Sequence, residues 1–313
     1  METKDERNKI VVFSVKKPVI FTVIVLFCIM GCTAGKTDKQ AGIDMKEIQI
    51  KGSDTIVNLV QAWAEEFSKE NPKINIGITG GGSGTGFAAL LNGTCDIAMA
   101  SRSIEDKEKK QAEERKINPV QFTVGLDGLI VIVNPKNPVS KLTLSQIRDI
   151  FTANTVNWKD LSGKDSKIVI LSRESNSGTH MFFKEHVLRG GNKKGKEEFS
   201  PKALLMSSSQ TIVNEVAQNP HAVGYVGIGY INPGLKSIAV AKDAGSKYIK
   251  PSVENVMNNS YPISRPLYLY TDGEAKGSVK MFIDFTFSKE GQKIVKKVDF
   301  VPVKNIEGLR ITD

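Results

Sequence analysis

From Glu47 onward the chain alternates between short runs in which every second residue is apolar and longer segments in which apolar residues recur at helical spacing. That rhythm predicts an α/β architecture. Ile48 and Ile50 alternate with polar neighbours, Gly52-Ser53-Asp54 follows as a loop, and Ile56, Leu59, Val60, Trp63 and Phe67 then share one helical face. The unit repeats: Ile74, Ile76 and Ile78 alternate, Gly80 to Gly86 is glycine-rich, and Phe87 to Leu91 reads as a helix closed by Asn92-Gly93. A third run, Asp96 to Ala100, ends in Ser101-Arg102-Ser103 ahead of a charged helical stretch from Glu105 to about Lys116. Leu129 to Val133 is continuously apolar between Asp127-Gly128 and Asn134-Pro135, which predicts a fully buried strand.

Farther on, Thr143 to Phe151 has helical periodicity, Ile168 to Leu171 reads as a strand, and Gly178 to Val187 as a helix after the loop Ser172 to Ser177. Thr211 to Ala217 predicts a short helix, Val223 to Ile231 a β segment, Pro262 to Tyr270 an extended strand, and Ser278 to Phe285 and Gly291 to Val295 two closing helices. Two α/β lobes, each about a hundred residues, fit this length better than one continuous sheet.

The N-terminal part has a different pattern. Lys4, Arg7, Lys9, Lys16 and Lys17 precede the apolar run Val19 to Met30, which stops at Gly31-Cys32. The run is too short to span a bilayer, for which about 20 apolar residues are needed, and it reads as an export signal. Ile29-Met30-Gly31-Cys32 resembles a bacterial lipobox, although Met30 is large for its place; a plain secretory signal or an uncleaved anchor helix are the alternatives. Residues 1–31 are therefore expected to be a lipoprotein signal peptide, Cys32 the lipidated residue, for instance by palmitate, and residues 32–46 a polar flexible tether. Of three cysteines only Cys95 lies in the body of the chain, so no disulfide framework is available and a core must hold the fold.

The formal charge is +9; removing residues 1–31, with five Lys/Arg and three Asp/Glu, leaves +7. This excess is a mild aid to attracting anions. Nucleic acid is disfavoured as a partner because the basic residues are scattered and not interleaved with aromatics. His180, His186 and His221 show no metal-ligand spacing, and neither a metal nor a cofactor is expected. Trp63 reads as core, Cys95 as a buried thiol.

Three loops share one design, in which a strand ends, a Gly/Ser/Thr-rich loop follows and a helix begins: Gly52 to Thr55, Gly82 to Gly86, and Arg173 to Thr179. Helix starts offer unpaired N–H groups and a positive dipole end, hydroxyls add donors, and Arg173 adds a planar fork that matches an oxyanion face. One such loop is ordinary capping. A dipole end contributes about 0.3–1 kcal/mol and a hydrogen bond to a charged group about 1.5–3, whereas micromolar capture needs about 8; several loops must converge on one anion. Gly86 is followed by Phe87, so the glycine-rich loop lacks the Walker lysine, and no Gly-x-Gly-x-x-Gly register fits. A bare anion is favoured over a nucleotide.

The strings KGSDTI, GGGSGTG, DIAMASR, DGLIVIVNP, IFTANTVNW, SRESNSGTH and GYVGIGY, in this order, resemble the phosphate-binding proteins of bacterial phosphate ABC transporters over nearly the whole chain beyond the tether. The resemblance implies the two-lobed periplasmic-binding-protein fold of the second type, with the ligand in the interlobe cleft. Lobe I would comprise 47–127 plus 265–313 and lobe II 128–264, with crossings near Asp127 to Val131 and Pro262 to Leu267. It further implies contacts to phosphate from Thr55, Ile56, Ser83, Arg173, Ser177, Gly178 and Thr179; Ser53 is added from its place in the first loop, and Ser101 and Arg102 from the third strand end. Well-known relatives carry an aspartate where Arg102 stands, to accept the proton of hydrogen phosphate; here Asp54 and Asp127 are the candidate acceptors. Arg102 either touches the anion or pairs with an acid such as Glu174. The implied protein is a monomer without catalytic activity, on the extracytoplasmic face of the membrane, that delivers inorganic phosphate to permease subunits served by a separate ATPase. Two other readings stay open: capture of another, sulfate-like oxyanion, and a phosphohydrolase using Ser83 or Ser177, although neither serine lies in a Gly-x-Ser-x-Gly elbow.

Overall fold

The computed structural model describes residues 46–303. The expected signal peptide, Cys32, the tether up to its last residue and the end of lobe I beyond 303 lie outside them. In chain order the elements are β1 (Lys46–Gly52), α1 (Val57–Glu70), β2 (Ile74–Thr79), α2 (Ser83–Leu91), β3 (Ile97–Ala100), α3 (Asp106–Glu114) and β4 (Pro119–Val133). There follow β5 (Lys141–Thr143), α4 (Leu144–Phe151), β6 (Val169–Arg173), α5 (Gly178–Phe183), β7 (Leu204–Met206), α6 (Ser209–Gln218), β8 (Ala222–Gly227), β9 (Lys236–Ser237) and β10 (Ala239–Ala241). The last are α7 (Val253–Met257), β11 (Ser264–Asp272), α8 (Gly277–Phe287) and α9 (Lys289–Lys297). The α/β alternation expected from hydrophobic periodicity is present.

One long sheet runs in the order β2-β1-β3-β11-β4-β8-β6-β7, with β9 beside β4. At one end β1 lies parallel to β2 and β3; at the other, β6 lies parallel to β8 and β7. Between them β4 and β11 run antiparallel to each other and to their outer neighbours, so these two strands join the halves. From Pro119 to Gly128 β4 pairs with β11; from Leu129 to Val133 it pairs with β8. Strands that end on helices with both faces covered must be apolar throughout, and Leu129 to Val133 are all fully buried.

Three local departures from the periodic pattern matter for the site. Asp127-Gly128 is not a boundary but the middle of the fifteen-residue β4. The helix expected from Phe87 starts four residues earlier, at Ser83, because Gly82 adopts φ +92 and Gly86 lets the helix settle on β1, where a Cβ would stand 2.6 Å from Lys51 O and 2.8 Å from Gly52 Cα. The β segment expected to run to Ile231 ends at Gly227 in a 3-10 turn, Ile228–Tyr230. Trp63 is core, its indole N–H donating to Gly291 O at 2.8 Å and so fastening α1 to α9. Trp158 is equally buried, bonded to His221 O at 2.9 Å.

Candidate functional site

The parallel strands β1, β2 and β3 of the first half are each followed by a hydroxyl residue, directly after β1 and β3 and beyond three glycines after β2. Ser53 follows β1, Ser101 follows β3, and Ser83 opens α2 after β2. Ser53 Oγ donates to Ser101 Oγ at 3.0 Å, Ser101 N donates to Ser83 Oγ at 3.0 Å, and the Ser83 and Ser101 hydroxyls lie 3.4 Å apart. From the second half, Thr179 Oγ1 stands 2.7 Å from Thr55 Oγ1. Gly178, the first residue of α5, lies so close to this group that a Cβ would overlap Ser83 Oγ and stand 2.9 Å from Ser101 Oγ. None of these hydroxyl residues is more than 2 % exposed. Burying a hydroxyl without a partner costs about 1–3 kcal/mol; these five are answered by one another and by the N–H groups of Thr55 and Ser101, which gathers an unusual density of polar groups in one buried place.

Ser177 is also buried, but its hydroxyl caps α5 by accepting from His180 N at 3.4 Å. Ile56 contributes its side chain to the core, and its N–H turns back to Ser53 O at 3.3 Å.

Two buried arginines meet at this place, each holding an aspartate. Arg173, at the end of β6, donates through Nη2 to Asp54 Oδ2 at 2.6 Å and to Ser207 O at 2.8 Å, through Nε to Met206 O and through Nη1 to Ser209 Oγ. Four of its five N–H groups are thus used. Asp54 in turn accepts from Gly81 N at 3.1 Å, and the Tyr230 hydroxyl donates to Asp54 O. Arg265 was not anticipated. It faces Asp127 as its direct partner in the β4–β11 register, donating from Nε at 3.0 Å and Nη2 at 2.8 Å to Asp127 Oδ2. Its Nη2 also reaches Thr179 Oγ1 at 3.0 Å and Thr55 Oγ1 at 3.3 Å, and its Nη1 reaches Ser101 O at 3.0 Å. It is therefore Arg265, rather than Arg173, that touches the hydroxyl cluster. A signal for it existed: Ile263, Arg265, Leu267 and Leu269 share one face by the period of two, so a charge was destined for the interior and needed a counter-ion.

Asp127 is fully enclosed. Burial pushes its carboxyl up, Arg265 pulls it down, and Ile228 N donates to its Oδ1 at 3.0 Å. Burial likewise lowers Arg265. Taken together, two arginines are balanced by two aspartates, so the site offers directed donors without surplus charge.

Arg102 points away from the cluster. Its Nη1 and Nη2 grip Glu108 at 2.8 and 2.7 Å, its guanidinium lies 4.9 Å over the Phe87 ring, and Nε faces Glu105 Oε1 at 3.5 Å, too far for a hydrogen bond. The acid that holds it is Glu108, not Glu174. On one flank the two halves are fastened directly: Gly84 N donates to Asn176 O at 2.9 Å and Asn176 Nδ2 to Gly81 O at 2.9 Å. A Cβ on Gly82 would stand 2.8 Å from Asn176 O, so glycine is what permits this approach.

His180 is buried with Nδ1 2.8 Å from Arg173 O and 3.2 Å from Ser172 Oγ, and burial pushes its imidazole down to about 4. No histidine ring is bonded to Ser83 or Ser177, and no metal-ligating cluster occurs, among the described residues. Cys95 is buried and its thiol is pushed up to about 11. No helix among the described residues is long and apolar enough to cross a membrane.

A family model for the PBP superfamily domain matches residues 33–290. The phosphate-binding proteins PstS of Pseudomonas aeruginosa and Bacillus subtilis are each 33% identical to this chain, over 80% and 84% of it and 81% and 83% of their own lengths. Among solved structures, a phosphate ABC transporter substrate-binding protein with bound phosphate from Clostridium perfringens matches with a TM-score of 0.75 and 34% identity, over 83% of this chain and 100% of that one. An ABC-type phosphate transport receptor from Vibrio cholerae matches with a TM-score of 0.64 and 30% identity, over 82% and 100%.

Proposed function

The chain belongs to the PBP superfamily and, within it, to the phosphate-binding proteins of phosphate ABC transporters; on that footing we propose that it captures inorganic phosphate between its two lobes and hands it to such a transporter. The observation that carries this is the buried cluster of Ser53, Thr55, Ser83, Ser101 and Thr179 around the Arg265 guanidinium. Four or five hydrogen bonds to a charged guest, at about 1.5–3 kcal/mol each, cover the roughly 8 kcal/mol of micromolar binding and part of the cost of association. Arg173 keeps one N–H to give, and Gly178 lets α5 start against the guest.

Asp54 is the proton acceptor in this proposal and Asp127 the orienter of Arg265. Asp54 stands between two cluster residues and its side chain keeps 12% exposure, while Asp127 sits behind Arg265 with none. Each Asp54 oxygen accepts one bond in the structure and has a lone pair left. The lobes are proposed to divide at 127/128 and 264/265, which the change of β4's partner after Gly128 supports. The chain is further proposed to act without catalysis, as a monomer on the extracytoplasmic face, held by lipid on Cys32 after removal of residues 1–31, and to meet permease subunits whose ATPase is a separate chain; the N-terminal sequence supports the anchor.

Equilibrium binding of radiolabelled phosphate, with sulfate and arsenate as competitors, tests the assignment. Arsenate should compete and sulfate should not; preference for sulfate overturns it. Asp54→Asn should narrow the discrimination against sulfate by at least tenfold, because sulfate brings no proton needing an acceptor, and unchanged discrimination removes Asp54 from that role.

A further inference from the structure

Ser53, Thr55, Ser83, Ser101 and Thr179 are sealed from solvent, so nothing enters or leaves the cluster while the two halves stand in this arrangement. Release of a guest requires that contacts between the halves give way. Several of those contacts belong to the cluster or to the ion pairs around it: Thr55 meets Thr179, Asp54 meets Arg173, and Tyr230 reaches Asp54 O. Their donors and acceptors are groups that an anion lodged among them would claim.

The contact at Asn176 is of another kind. Asn176 lies in the loop between β6 and α5, exposed at the rim, and its side chain bonds to no member of the cluster. It reaches instead to the junction of β2 and α2, where Nδ2 donates to Gly81 O at 2.9 Å and lies 3.4 Å from Thr85 Oγ1. In return Gly84 N donates to Asn176 O at 2.9 Å. Gly84 N is among the first N–H groups of α2, which no carbonyl of the helix itself can answer. A capping side chain commonly answers one of them, but the N-cap of α2 is Gly82, which has none to offer. The acceptor comes from the opposite half of the molecule.

These bonds grip the two loops on either side of the cluster. Asn176 is followed by Ser177, Gly178 and Thr179, while Gly82 and Gly84 flank Ser83, the residue against which Gly178 rests. We propose that Asn176 is a positioning residue for retention, a clasp that sets how long the oxyanion stays without touching it; this rests on the phosphate assignment above. Phosphate meets the halves apart, before the clasp is made, and leaves only after the clasp is exchanged for water. Losing the Asn176 side-chain bond is therefore felt in release and not in capture.

Stopped-flow association and dissociation of inorganic phosphate and of arsenate with the full chain test this. Asn176→Ala should raise the dissociation rate constant about fivefold, the size expected of one neutral hydrogen bond, and leave association within about twofold. Asn176→Asp, which keeps the shape but has no proton to donate to Gly81 O at neutral pH, should release at least as fast as Asn176→Ala. The factor should be the same for phosphate and arsenate, whereas a direct contact to the anion would weigh the two differently. Near-wild-type release from either variant, slowed association as the main effect, or unequal factors for the two anions overturn the inference. A wild-type chain that binds no phosphate removes the phosphate assignment, whereas normal wild-type binding with wild-type release from Asn176→Ala removes only the clasp.

Discussion

Arg173 and Arg265 are both buried and each grips an aspartate, but Asp54 lies across the cleft from Arg173, whereas Asp127 faces Arg265 within a single strand pair. A pair that spans the cleft exists only while the two halves are together, so its strength is linked to whatever else holds them there. A pair inside the β4–β11 ribbon depends only on the pairing of those two strands. Its desolvation cost falls on the fold, and it holds a guanidinium in place before any anion arrives. Two arginines with the same chemistry and comparable burial are thereby tied to different things, Arg173 to the meeting of the halves and Arg265 to the strand pair that presents its guanidinium to the hydroxyl cluster.

Breaking the ribbon pair should have the largest effect. Removing one partner of a buried ion pair leaves an uncompensated charge and costs about 3–5 kcal/mol, so Asp127→Ala should lower the free energy of unfolding by that amount, read as a lower urea midpoint at unchanged slope. A loss under 1 kcal/mol would show that Arg265 finds other acceptors and that the ribbon is no more demanding than the cleft.

Acid should separate the two arginines next. The buried His180 imidazole, bonded to Arg173 O, is held at about 4 against an ordinary 6.5. Between these values the unfolded chain binds a proton that the folded chain refuses, so stability is intact above pH 6.5 and is lost as pH falls towards 4. The full difference is up to about 3 kcal/mol. Thermal denaturation across this range, compared with His180→Gln, checks it: the variant should lose less stability on acidification, and parallel curves would clear His180 of the role.

Smallest in energy but most specific is Arg173→Ala, which should weaken phosphate binding at least tenfold, about 1.4 kcal/mol, by equilibrium dialysis. The same change at Arg102, committed to Glu108, should stay within about twofold. Equal losses at both positions would erase the distinction between cleft and periphery.

Much of this was legible in the sequence. The three strand–loop–helix junctions stand where alternation gives way to glycine and hydroxyl residues, and the structure brings Ser53, Thr55, Ser83, Ser101 and Thr179 together. The start of α2 was hidden because Ser83 to Gly86 carries no apolar signal, its helical state being imposed by packing on β1. The first two thirds of β4 were hidden for another reason. Val120, Phe122, Val124 and Leu126 do alternate, but Asp127-Gly128 imitates a turn, and only the register with Arg265 shows why an aspartate sits mid-strand. Arg265 lay within a segment that reads as a plain strand, and nothing local reports that its counter-ion is 138 positions away. Long-range pairing of this kind is a property of topology, which periodicity does not encode.

Gly178 sets a mechanical tolerance. Its Cα rests where a single added methyl would overlap Ser83 and crowd Ser101, so the two jaws of this molecule stand at a gap gauged by the absence of one carbon. Alanine there acts as a shim. It offers a one-atom means of propping the jaws ajar, and of asking what a transporter does when it is handed a receptor that has loaded its cargo without shutting.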